Sequence, residues 1–92
     1  HKAIGNVATE AMAWFDMEDT IAMLHSIVRD PNQPHRLVRA STLALRRLAR
    51  LGKDDQAAAR ALTLVANQLP DNEVAKTTTQ RAADFLAYKK TN

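Results

Sequence analysis

The stretch PNQPHRLVRASTLALRRLARLGK, residues 31–53, opens on two prolines, closes on a glycine and a lysine, and between them carries leucines at helical spacing. At about 100° per residue, Leu37, Ser41, Ala44, Leu45, Leu48 and Leu51 share one face, an amphipathic helix and not the alternation of a strand. Pro34 suits a first helical turn, and Gly52 sits where a left-handed C-terminal cap is wanted. The same punctuation works outward from this helix. Pro70 stops the run ending at Leu69, and no segment alternates Val, Ile, Thr and aromatics as a strand does. The expectation is an all-α domain, a compact bundle of four to five short helices over about 6–15, 17–29, 34–51, 55–69 and 72–88, with orthogonal or α-hairpin packing.

The chain has 92 residues, 46% hydrophobic and 25% charged. That length supports one core, so residues 1–92 read as a single domain, and the composition is that of a chain that folds. Alanine and leucine dominate the apolar set, and aromatics are few: Trp14, Phe15, Phe85 and Tyr88. Alanine-rich helices bury area by approaching closely.

The first thirty residues contain two apolar stripes. Ile4, Val7, Ala8, Ala11, Trp14 and Phe15 share one face, whereas Met17, Ile21, Leu24, Ile27 and Val28 lie on nearly the opposite one. A break near Asp16 turns both stripes toward one core, with Asp16 as N-cap and Glu18 and Asp19 in the first turn. The competing arrangement is one long helix covered on both sides. Farther on, Ala57, Ala58, Ala61, Leu62, Leu64, Val65 and Leu69 make the fourth helix the most buried. The fifth buries Val74, Thr78, Ala82, Phe85 and Leu86, with a frayed tail from Lys89 to Asn92.

Charge is unevenly distributed. The net charge is +3, yet residues 31–53 hold Arg36, Arg39, Arg46, Arg47, Arg50 and Lys53 and no acid. Residues 1–30 are net acidic, and the remainder is balanced. On a wheel the six cations fall within an arc of roughly 120°, and Leu43 lies at its centre. Three readings compete: a solvated face whose arginines pair with Glu10, Asp16, Glu18 and Asp19; a docking site for an acidic protein, including a second copy of this chain; or a phosphate-binding stripe for nucleic acid. No nucleic-acid motif accompanies the stripe, no aromatic interleaves the polar faces for base stacking, and the double-proline loop fits a helix-turn-helix poorly. An apolar anchor ringed by arginines suits a protein interface. A second interaction candidate is the corner formed by Trp14, Phe15 and Met17.

The remaining polar residues form no pattern that carries chemistry. The chain has no cysteine, so it has neither a disulfide frame nor a thiolate. His1, His25 and His35 have no metal-site spacing, Gly5 and Gly52 stand alone, and Ser26 and Ser41 sit in helices without the His and acid arrangement that activates a nucleophile. The expectation is a non-catalytic protein with no cofactor, metal or small-molecule substrate. No span approaches the roughly 20 apolar residues that cross a bilayer, and no signal peptide opens the chain, so a cytoplasmic protein off the membrane is expected.

Asp30 and Pro31, followed by Leu37, Val38, Arg39, Ala40, Ser41, Ala44 and Leu45, resemble the second helix of a HEAT-type repeat. The resemblance covers about a quarter of the chain, and no repeat period follows it. It implies an α-hairpin scaffold that binds proteins.

Overall fold

Proline and glycine punctuation divides the chain into four helices: α1 spans Lys2–Arg29, α2 His35–Leu48, α3 Asp55–Asn67 and α4 Val74–Tyr88. The computed structural model describes the backbone over residues 2–89 and the side chains over 10–89, and no strand occurs among the described residues. At the end of α1 the Asp30 carboxylate turns the chain, accepting the Asn32 N–H at 2.9 Å and the Gln33 side-chain amide at 3.3 Å. Gly52 then adopts a φ of 93°. That left-handed conformation is strained for a residue with a Cβ and natural for glycine.

Each helix lies beside its sequence neighbours, and α4 closes the ring onto α1; among the described residues the diagonal pairs do not approach one another. Asp16 meets Arg81 while Met23 meets Thr79, so α1 and α4 run antiparallel. Gln56 at the start of α3 donates to the Ala87 carbonyl at the end of α4, which makes that pair antiparallel too. The arrangement is an up-and-down bundle built from α-hairpins. A HEAT-type stack would instead set α1 beside α3 and α2 beside α4. The resemblance around Val38 and Arg39 therefore does not extend to the packing.

One core draws on all four helices, with Met17, Leu24 and Ile27 from α1, Leu37, Ala44 and Leu48 from α2, Ala58, Leu62 and Val65 from α3, and Ala82, Ala83 and Leu86 from α4. Alanines at the contacts let helix axes approach. As expected, α3 is the most buried, with seven buried residues of its 13 against five of 14 in α2 and five of 15 in α4. Its Leu64, expected inside, is exposed, as is Val74 at the first position of α4. Both lie at the edge of their apolar arcs, where adjacent positions fill the core first. The threonine run in α4, a poor intrinsic helix former, is held by tertiary packing: Thr78 and Thr79 are buried.

The expected break near Asp16 does not occur. α1 is one helix of 28 residues. Among its described side chains the buried ones are Ala13, Asp16, Met17, Thr20, Leu24 and Ile27, a single stripe at three- and four-residue spacing that includes two polar side chains. Asp16 belongs in that stripe because Arg81 neutralises it, so it is no N-cap. Of the stripe ending at Trp14 and Phe15, Ala11 and Phe15 are exposed, whereas Trp14 packs against Phe85. The side chains of Ile4, Val7 and Ala8, assigned to the same stripe by sequence, lie outside the described residues.

At 1.5 Å per residue α1 is about 42 Å long, about twice any other helix. Trp14 packs against Phe85, and α4 continues only to Tyr88.

Candidate protein-docking surface

The basic residues divide into two groups because α2 ends earlier than the leucine pattern implies. It stops at Leu48, and the amides of Arg50, Leu51, Lys53 and Asp54 close successive turns onto Arg47, Leu48 and Arg50. Arg50 and Lys53 thus leave the helical arc. Arg50 Nε lies 3.1 Å and Arg47 Nη1 3.7 Å from the same Asp54 carboxylate oxygen. The arginines were expected to pair with Glu10, Asp16, Glu18 and Asp19 if they paired at all. Their carboxylate is Asp54 instead, brought to them by the turn at Gly52.

Arg36, Arg39 and Arg46 remain on the outer face of α2. All three are exposed. None has a carboxylate within ion-pair distance among the described residues. Leu43, placed by the wheel at the centre of the arc, is half-buried and packs against the core. Its position between the arginines serves the bundle, with only an edge left to the surface.

The Trp14, Phe15 and Met17 corner is split three ways. Met17 is 2% exposed and lies in the core. Trp14 is turned along the bundle, its ring edge-on to Phe85 at 5.2 Å with the Lys89 ammonium 5.8 Å from its centroid. Lys89 also reaches Asp55 at 3.3 Å, so the expected fraying begins no earlier than residue 90, beyond the described residues. Phe15 alone faces outward, 69% exposed, beside Met12 at 65%.

Two carboxylates are tied into the scaffold. Arg81 grips Asp16 with two hydrogen bonds, Nε to Oδ2 at 2.8 Å and Nη2 to Oδ1 at 2.9 Å. These bonds hold the Asp16 carboxyl below the ordinary carboxylate range despite the opposing effect of burial. Asp55 is lowered first by the Gly52 N–H it accepts and then, against burial, by Lys89. Neither anchor was visible as a pair in the sequence, since 65 residues separate Asp16 from Arg81. The usable signal was Asp16 sitting in phase with Ala13, Thr20 and Leu24.

A cleft of about 460 Å³ lies at the start of α3, bordered by Lys53, Asp55, Arg60, Leu86 and Lys89. It is open, and its Asp55 carboxylate is already engaged by Lys89 and Gly52. No cluster of three or more His, Asp or Glu side chains suitable for a metal occurs among the described residues. No described helix is long and apolar enough to cross a membrane.

No protein family, characterised protein or solved structure matches this chain.

Proposed function

We propose that this chain is a non-catalytic protein-interaction module, a small regulatory or adaptor domain that docks an acidic protein on the outer face of α2. The observation that carries this reading is the set Arg36, Arg39 and Arg46: exposed, on one face, and without an intramolecular carboxylate among the described residues. Guanidinium forks bind carboxylates in a fixed geometry, and their flat stems cover apolar side chains, so arginine serves interfaces better than lysine does. Arg47, Arg50 and Lys53 border this surface. Arg47 and Arg50 add less to it, because Asp54 already offsets their charge.

Nucleic-acid binding through the same arginines is the second reading, favoured by a sequence pI of about 9.7. The exposed aromatics, Trp14, Phe15 and Tyr88, lie on α1 and α4 and so do not interleave with the arginines of α2. The arrangement lacks a stacking platform.

The two readings separate in one titration. Fluorescently labelled protein at nanomolar concentration is mixed with a polyglutamate peptide or with a DNA duplex, as wild type and as the triple variant Arg36→Glu, Arg39→Glu, Arg46→Glu. Polyglutamate binding by the wild type alone, with helix content equal in both proteins, is expected. No peptide binding even at low ionic strength, or tighter duplex binding that falls steeply with salt, overturns the proposal.

A further inference from the structure

We infer that the acidic partner of the α2 arginines is a second copy of this chain, which lays the outer face of its own α1 across them. The inference rests on the docking reading above and names its occupant.

Because α1 is unbroken, one side of it faces away from its own bundle. Ala11, Phe15 and Ala22 are exposed opposite the buried stripe from Ala13 to Ile27, and Met12 is exposed at its edge. Large apolar side chains at helical spacing on a surface helix mark a contact face. The alanines among them leave room for a close helix crossing. Glu18 and Asp19 flank Phe15 on this face, both exposed and without a basic partner within ion-pair distance among the described residues.

The chain thus carries two matched surfaces. One is acidic with an aromatic at its centre; the other is acid-free, with three free arginines. Neither is satisfied within the described bundle. An arginine stem stacks on the Phe15 ring while its guanidinium takes a carboxylate one turn away, so both halves of the α1 face find their complement on α2. A two-fold arrangement makes the contact twice, each copy giving its α1 and receiving on its α2. A foreign acidic protein would leave the Met12 and Phe15 stripe uncovered.

Charge exchange between the two faces tests the assignment. One variant carries Glu18→Arg with Asp19→Arg, and the other carries Arg39→Glu with Arg46→Glu; all four positions are exposed, and circular dichroism checks that each variant is folded. Light scattering after size exclusion reads the mass across a concentration series. The expected result is a two-chain mass for the wild type, a one-chain mass for each variant alone, and a two-chain mass for their equimolar mixture, in which both contacts again join opposite charges. Phe15→Ser should also give the one-chain mass. A one-chain mass for the wild type throughout, or a wild-type dimer with a mixture that stays at one chain, overturns the inference. If polyglutamate still binds the arginines in that event, the docking reading stands with a foreign partner; if it does not, both fall.

Discussion

Thr20 and Ser41 each bury a side-chain oxygen without a hydrogen-bond partner. A buried polar group without a partner costs free energy, whereas an apolar group of the same shape does not. Thr20→Val and Ser41→Ala are therefore expected to be neutral or to stabilise by up to about 1 kcal/mol in urea denaturation. A loss of comparable size would show that the hydroxyl is bonded. Asp16 presents the opposite case, a buried carboxylate fully met by Arg81. Its lowered pKa means that its stabilising contribution is in place above the ordinary carboxylate value of 3.8. That contribution disappears as pH falls through the ordinary value to the depressed one. Asp16→Asn is expected to cost roughly 1 kcal/mol near neutral pH, no more because half-exposed Arg81 is screened by solvent. The gap from wild type should close below about pH 4, which stability measured across an acid series would show. A gap independent of pH would mean that the carboxylate charge is not what Arg81 recognises.

At the scale of elements, the helices with strong punctuation were legible and the one without it was not. The prolines around Asn32 and the glycine at position 52 bounded α2 and α3 to within a few residues. α1 carries no such mark between Val7 and Arg29, and its apolar phase reverses near Asp16. Two helices would let both stripes reach one core, but the buried stripe includes Asp16 and Thr20, which an apolar pattern leaves out. Their place becomes visible only once Arg81 arrives from α4. The candidate surface was legible in its composition, with Arg36, Arg39 and Arg46 where the wheel put them. It was not legible in its state of pairing, because the Gly52 turn that brings Asp54 back to Arg47 and Arg50 is a three-dimensional feature. Gly52 itself is testable. A Cβ there would meet nothing within 4 Å, so only the backbone resists substitution. Gly52→Ala is expected to cost about 1 kcal/mol in thermal unfolding, and Gly52→Asn less, since asparagine tolerates the left-handed region. Equal stability of all three would remove the positive φ as the reason for glycine.

At the scale of the molecule, one helix of 28 residues packs with three of 13 to 15. The surface left on α1 around Phe15 is apolar and acidic, with Glu18 and Asp19, while that left on α2 is basic. Core and surface should therefore respond independently. Leu62→Ala, at a fully buried position, should cost about 3 kcal/mol of stability. Phe15→Glu should leave stability within about 0.5 kcal/mol at concentrations where the protein is monomeric, because the ring touches little of its own bundle. Large destabilisation by Phe15→Glu in the monomer would place that ring in the core. The most direct measurement of whether these surfaces exist to be covered by protein is the wild-type mass by sedimentation equilibrium over a wide concentration range. The account predicts a rise from the chain mass of 10.2 kDa toward twice that value, weakened by salt; a constant 10.2 kDa at every concentration and ionic strength would contradict it.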